Sequence, residues 1–217
     1  MFYRVLITVV LSLSLLFAFS QKQAVNNNQY SQDLLFYPTK NIDSLLNTAT
    51  RQLQAAEQKG DELAKAKALS DIAFANKYKG QPDSAILFYK RAKSIFLAGK
   101  NDEAAEYTDI ALANIYIGQY KIDTALSYLI GVDSLSKVSK NASLQADVKW
   151  NLGLVYKNKE DYLNAARYFK MALNAFQFQK KYSKYILAGC HLSMAYRLMD
   201  QNDSSLNILA QCISVFN

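Results

Sequence analysis

The sequence predicts an all-α fold, an α-α superhelix in which antiparallel helix pairs stack as a solenoid. Apolar residues recur at helical spacing, for example from Ile42 to Gln58. The 217 residues include only two prolines and seven glycines, so few positions interrupt a helix. Small side chains recur every forty residues, at Ala73, Ala113, Gly153 and Ser193. A fixed period of this length is the sequence signature of a repeat architecture.

Other positions follow the same forty-residue step. Small residues recur at Ala85, Ala125, Ala165 and Ser205. Large apolar residues recur at Tyr89, Leu129, Phe169 and Leu209. The period therefore predicts four full units without an insertion, at about 61–100, 101–140, 141–180 and 181–217.

The third unit carries the most recognisable set of these residues. Its order is Trp150, Leu152-Gly153, Tyr156, Ala165, Phe169 and Ala172. This order resembles the pattern of tetratricopeptide repeat (TPR) proteins, and the resemblance extends from about Asp61 to the C-terminus. It implies that two helices of each unit approach closely at the small residues. It also implies a scaffold, because this fold carries many different functions.

The N-terminal twenty residues have the pattern of a signal peptide. Arg4 supplies a positive charge, Val5 to Phe19 is an apolar run, and Ser20 ends a small-residue cleavage pattern. The run is shorter than the ~20 residues of a membrane-spanning helix. We therefore expect cleavage after Ser20 and an exported mature chain, periplasmic or secreted, without a membrane span.

Between the signal peptide and the full units, residues 21–41 read as a polar tether and residues 42–60 as a degenerate leading unit, so that the solenoid covers 42–217. Asp-Ser or Asp-Thr opens the second helix of several units, at Asp43-Ser44, Asp83-Ser84, Asp123-Thr124 and Asp203-Ser204. We expect these residues to cap those helices, although exported bacterial proteins also carry O-linked sugars at similar sequences. The first helices of three units should be capped by Asp61, Asn101 and Asn141.

Little in the chain indicates catalysis. The only histidine is His191, and neither a phosphate-binding glycine loop nor a CxxC motif is present. We expect no enzymatic activity, no cofactor and no metal site. The net charge of +7 is spread over all units, which argues against nucleic-acid binding. Cys190 and Cys212, the only cysteines, would form a disulfide in an exported chain or stay as free buried thiols.

The resemblance also implies where a partner would bind. TPR proteins contact ligands from the concave face of the first helices, mostly three residues before, one after and four after the small position. Carried onto this sequence, these positions give Phe74, Lys77, Ile110, Asn114, Ile117, Trp150, Leu154, Lys157, Met194 and Arg197. They suit an acidic extended or helical peptide, but the alternative is that Trp150 and Phe74 belong to the core.

The sequence thus predicts an exported, non-enzymatic TPR scaffold that binds a protein or peptide. Two alternatives are a structural component of a cell-envelope complex and the sensing region of a TPR-containing signalling protein. The last helix is rich in apolar residues, including Leu206, Leu209, Ile213, Val215 and Phe216. We expect self-association or a partner to cover this C-terminal face, because the outer surface of a terminal repeat is normally polar.

Overall fold

The computed structural model describes the backbone of residues 39–214 and the side chains of residues 41–214. The predicted signal peptide, most of the predicted tether, Val215 and Phe216 lie outside this part. Within it the chain forms only helices. They are α1 (Thr39–Lys59), α2 (Glu62–Tyr78), α3 (Pro82–Ala98), α4 (Asp102–Gly118), α5 (Ile122–Val138), α6 (Ala142–Asn158), α7 (Tyr162–Phe178), α8 (Tyr182–Leu198) and α9 (Asn202–Ser214). A two-residue turn joins α1 to α2, and a three-residue turn joins each later pair of helices.

Each helix packs on the next one along the chain, which confirms the predicted solenoid of antiparallel pairs. Units 1 to 4 are α2–α3, α4–α5, α6–α7 and α8–α9, and α1 is the second helix of the leading unit. It begins at Thr39, three residues before the predicted start at Ile42. The first helix α4 also packs directly on the first helix α6. The first helices of units 2 and 3 are therefore neighbours.

The turns share one backbone geometry, and it explains why the helices from α2 onward start twenty residues apart. In each turn one residue has a positive φ, and it is glycine only at Gly60 and Gly80. The residue after it donates to the carbonyl five positions back, as Gln81 N–H does to Asn76 O at 2.9 Å. Glu160 and Asp161 repeat this arrangement with Lys157 and Tyr156. These bonds satisfy carbonyls that a helix end leaves free.

The predicted caps of the first helices are confirmed. The side chains of Asp61, Asn101 and Asn141 accept hydrogen bonds from the backbone N–H groups of Ala64, Ala104 and Leu144. The predicted Asp-Ser/Thr caps of the second helices are wrong. Helices α3 and α5 are preceded by Gln81 and Lys121, whose side chains make no capping bond. Asp83 and Asp123 instead are the second residues of their helices, two positions after the capping position.

These recurring aspartates contact the following unit. Lys79 Nζ lies 2.7 Å from Asp43 Oδ1, and Lys159 Nζ lies 4.0 Å from Asp123 Oδ1. Between them, Gln119 Nε2 lies 3.5 Å from Asp83 Oδ1. In each case the partner is the residue that follows the next first helix. A carboxylate also interacts favourably with the positive end of its own helix.

The core lies where the two helices of a unit approach each other. Ala73, Ala113, Ala165 and Ala172 are completely buried, as the small positions of the repeat predict. A Cβ atom at Gly153 would lie 2.5 Å from the ring of Phe169, which is itself completely buried. Glycine is therefore required here by close packing, since an added methyl group would overlap the ring.

Candidate peptide-binding face

The first helices of units 2 to 4 are joined by polar contacts between units. Tyr107 Oη of α4 lies 3.1 Å from Ser143 Oγ of α6, and Ser143 also contacts Lys181. Lys184 Nζ of α8 lies 2.8 Å from Asp147 Oδ1 of α6, and the Asp147 side chain is only 3% exposed. A charge pair so well removed from water fixes the two helices relative to each other. These three helices therefore present side chains from successive units side by side.

Three of the ten predicted ligand-contact residues are core residues. Ile110 is completely buried, and Ile117 and Trp150 are 9% and 8% exposed. Ile110 and Ile117 pack in the core shared by units 2 and 3, and Trp150 packs in the core shared by units 3 and 4. The prediction that these three side chains line a groove is corrected accordingly, because neighbouring units cover them.

The other seven predicted residues are accessible, and we call them the first-helix face. They are Phe74, Lys77, Asn114, Leu154, Lys157, Met194 and Arg197. Met194 and Arg197 are exposed and the rest are half-buried. The face thus combines apolar side chains from units 1, 3 and 4 with one cation from each of the same units. Unit 2 contributes only the amide of Asn114.

Its electrostatics follow from partial burial. Burial lowers the pKa of Lys77, whose Nζ lies 5.3 Å from the centre of the Tyr78 ring. The Tyr78 ring in turn lies 4.6 Å from the Phe74 ring. Tyr78 was missed by the predicted positions, although its spacing of four from Phe74 places both on one side of α2. Unit 1 therefore offers a cation held against an aromatic pair.

Trp150 lies in an aromatic cluster between units 3 and 4. The ring of His191 is stacked on Phe169 at 5.2 Å and lies 6.0 Å from Trp150. Burial, with a smaller effect of the Lys157 charge, lowers the pKa of His191 to about 4. His191 is consequently neutral at pH 7. The Trp150 Nε1 atom is enclosed and has no hydrogen-bond partner among the described residues.

The two cysteines lie in the same part of the molecule as free thiols. Cys212 is buried and Cys190 half-buried. Burial raises the pKa of both thiols, and that of Cys212 reaches about 11, with a further contribution from Cys190. Both are therefore protonated at pH 7, which disfavours nucleophilic chemistry. The disulfide between them stays a prediction.

The described residues contain no group of three or more histidine, cysteine or acidic side chains arranged to hold a metal ion. Over the same residues, no helix combines the length and hydropathy needed to cross a bilayer. The first-helix face offers apolar surface, the amide of Asn114 and three cations. Such groups can hold a ligand by apolar contact, hydrogen bonding and charge attraction.

No family model matches the sequence, and no curated protein matches it. Solved structures do share its architecture. A Rap protein complexed with competence and sporulation factor aligns with a TM-score of 0.75 and 19% identity, over 81% of this chain and 49% of that one. The apo form of RapI aligns with a TM-score of 0.65 and 19% identity, over 80% of this chain and 48% of that one. The chain thus spans about half the length of both Rap chains.

A third structure is named for its repeats. A putative kinesin light chain from Podospora anserina, with nearly identical TPR-like repeats, aligns with a TM-score of 0.56 and 13% identity over 83% of this chain and 96% of that one. At these identities the likeness concerns the fold. The helix order, the forty-residue period and these alignments agree, and the chain has the fold of the tetratricopeptide-type helical repeat proteins.

Proposed function

We propose that this chain is a non-enzymatic scaffold that binds a protein or peptide through the first-helix face. The observation that carries the proposal is the face itself, a row of accessible apolar side chains accompanied by Lys77, Lys157 and Arg197. A Rap protein of the same fold has been solved in complex with competence and sporulation factor. That structure supports ligand binding by this fold, while the ligand of this chain is argued from its own residues.

The ligand best matched to the face is an acidic peptide with apolar side chains. Phe74, Leu154 and Met194 offer apolar contact, and each has a cation three residues later on the same helix. Residues three apart lie on one side of a helix, so each unit presents an apolar group beside a positive one. Desolvated apolar anchors contribute most of the binding energy in such complexes, and the flanking charges speed encounter and select the partner.

The test is selection of binders from a displayed random peptide library, followed by measurement of Kd for the enriched sequences. The decisive variant is the triple substitution Lys77→Gln, Lys157→Gln and Arg197→Gln. We expect enriched peptides to be acidic and the triple variant to bind them at least about tenfold more weakly, since each lost charge contact contributes on the order of 0.5 kcal/mol or more.

A matched control removes three exposed cations from second helices, through Lys90→Gln, Arg91→Gln and Lys170→Gln. It changes the net charge by the same amount and should retain wild-type affinity. Equal losses in both variants would indicate unspecific attraction to a basic protein. Unchanged affinity in the first variant would place the binding surface elsewhere.

We further propose that the mature protein is exported. The support is the sequence alone, namely Arg4 followed by the apolar run that ends before Ser20. Intact-mass measurement of protein from its native host should give a chain that starts at Gln21. A full-length chain in the cytosol would contradict export. It would also remove the reason to look for partners outside the cytosol.

A second function is self-association or envelope assembly through the face of α9. Leu206 is 65% exposed, whereas Ala166, at the equivalent position of α7, is 5% exposed because unit 4 covers it. No helix of the described part covers Leu206. Light scattering over a concentration series should detect a dimer that Leu206→Glu abolishes. A wild-type protein that stays monomeric up to high concentration would speak against this function.

A further inference from the structure

Unit 1 carries a carboxylate beside its aromatic pair. Asp71, Phe74 and Tyr78 are spaced by three and four residues, so they form one stripe along α2. The equivalent stripe in unit 2 is Ala111, Asn114 and Gly118, and unit 4 has His191, Met194 and Leu198. Only unit 1 combines a negative charge with two rings at these positions.

Asp71 differs from the other shielded aspartates of the described residues. Asp109, Asp133 and Asp147 are paired with lysines at 2.7, 2.5 and 2.8 Å, and Asp161 caps α7. Asp71 is half-buried, yet no described residue gives it a hydrogen bond or an ion pair. Burial raises the pKa of its carboxyl to about 6. Shielding a carboxylate without a partner is unfavourable, so a partner from outside would stabilise it.

One other shielded carboxylate, Glu106 of α4, also lacks a partner in the described part. Burial raises its pKa, and the nearby charges of Asp102, Glu103 and Asp109 raise it further. Those acids surround it on its own helix. Asp71 has no such acidic surroundings, and its neighbours are aromatic.

A third ring completes the surroundings of Asp71. Tyr89 of α3 is 6% exposed, and its pKa is raised by burial and then by the charges of Asp71 and Tyr78. Tyr89 is therefore within range of the Asp71 charge, on the helix that packs against α2. A carboxylate bordered by aromatic faces is an arrangement that binds organic cations, because the carboxylate supplies a charge-assisted hydrogen bond and the ring faces attract positive charge.

We propose that Asp71, with Phe74 and Tyr78, binds a protonated primary amine of the peptide ligand. The proposal rests on the proposed function and gives the peptide a direction. The amine lies at unit 1, and acidic side chains lie toward Lys157 and Arg197 in units 3 and 4. Lys77, beside the Tyr78 ring, suits a ligand carboxylate close to the amine. The amine is either the N-terminal amino group or a lysine side chain.

The experiment uses three random hexapeptide libraries offered in equal amounts to immobilised wild-type protein. One library has free N-termini and no lysine, one is N-acetylated with lysine, and one is N-acetylated without lysine; arginine is omitted from all. Mass spectrometry counts the retained peptides. We expect at least one amine-bearing library to be retained about tenfold above the amine-free library, and the library that is retained identifies the source of the amine.

Asp71→Asn should abolish this preference while it still retains acidic peptides through the cations of units 3 and 4. The matched control is Asp83→Asn, an equal change of charge at an exposed aspartate of α3, and it should keep the preference. Circular dichroism should show both variants folded. Equal retention of all libraries by wild-type protein overturns the amine site alone. Retention of no peptide overturns the proposed function together with it.

Discussion

The junctions between units differ in chemistry at one equivalent pair of positions. At the outer junctions the pair is apolar or small, Leu53 with Leu69 before unit 1 and Leu173 with Gly189 between units 3 and 4. At the two middle junctions the pair is charged. Lys93 lies 2.7 Å from Asp109, and Asp133 lies 3.4 Å from Lys149.

The two charged pairs have opposite orientation, and this distinguishes the junctions. A second helix carrying Lys93 accepts a first helix carrying Asp109, whereas pairing it with Lys149 would oppose two positive charges. Half-buried ion pairs add little net stability, but like charges in the same place are strongly unfavourable. The outer junctions therefore contribute more of the stability, and the middle junctions more of the specificity with which units stack.

The largest expected effect concerns the apolar junction between units 3 and 4. Phe169→Ala removes a completely buried ring that packs against Gly153 and His191. We expect a loss of about 3–5 kcal/mol in the free energy of unfolding. Urea titration followed by Trp150 emission measures it. Met171→Ala, at a position 44% exposed, is the control and should change stability by less than about 0.5 kcal/mol.

A smaller effect is expected at a middle junction. Asp109→Lys places two lysines together and should cost about 2 kcal/mol, since it leaves Lys93 without its partner and adds repulsion. Adding Lys93→Asp recreates the pair in reverse and should restore most of the loss. Urea titration of the single and double variants gives the coupling energy. A double variant no more stable than Asp109→Lys would contradict the role of charge in stacking.

The junctions should also respond differently to acid. His191 has a folded-state pKa of about 4 against 6.5 for an unperturbed histidine, so the unfolded chain binds the proton more readily. The stability of the junction between units 3 and 4 should therefore fall as pH decreases from about 6.5 to about 4. Asp133 behaves differently. Burial alone would raise the pKa of its carboxyl, but the hydrogen bonds and charges of Lys137 and Lys149 have the larger effect, so the pKa lies below its ordinary value. Its contribution is present above about pH 4 and is lost only as pH falls through the lower folded-state value.

His191→Phe isolates the first of these effects. The variant keeps a ring against Phe169 but cannot titrate. Its stability relative to wild type should increase steadily between pH 6.5 and 4, as measured by urea titration at each pH. A difference that does not vary with pH would show that His191 titrates alike in the folded and unfolded chains.

The smallest effects concern the turns, whose geometry does not differ between junctions. Lys140 and Lys180 have φ values of 55° and 56°, a conformation that glycine adopts without steric cost. Lys140→Gly and Lys180→Gly should each stabilise the protein by about 0.5–1 kcal/mol, and by equal amounts. Thermal melts are sensitive enough to detect this. Unequal gains would indicate that the turns also distinguish the junctions.

Local and periodic features were predictable from sequence, because they depend on residues near in sequence or one period apart. The caps at Asp61 and Asn141 and the close contact at Gly153 belong to this class. Burial of Ile110 was not predicted, and for Trp150 the sequence left groove and core as alternatives. Burial at both positions depends on how closely successive first helices approach, which is set by side chains of the next unit such as His191.

The aspartates of the second helices illustrate the same limit. Their recurrence was visible, but their partners lie at the end of the next first helix, 36 residues away. Local capping was the simpler explanation and it was wrong. The charge reversal between Lys93–Asp109 and Asp133–Lys149 becomes visible only when two positions of the repeat are compared together.

The most direct test of the central claim, that a peptide binds to the first-helix face, uses two native methionines as probes. Met194 lies on that face and is 39% exposed, and Met171 lies on the second helix α7 and is 44% exposed. Without ligand, hydrogen peroxide should oxidise both to the sulfoxide at similar rates, because they are similarly accessible. A saturating library-selected peptide should slow oxidation of Met194 about tenfold and leave Met171 unchanged. Protection of Met171 alone, or of neither methionine, would contradict binding at this face.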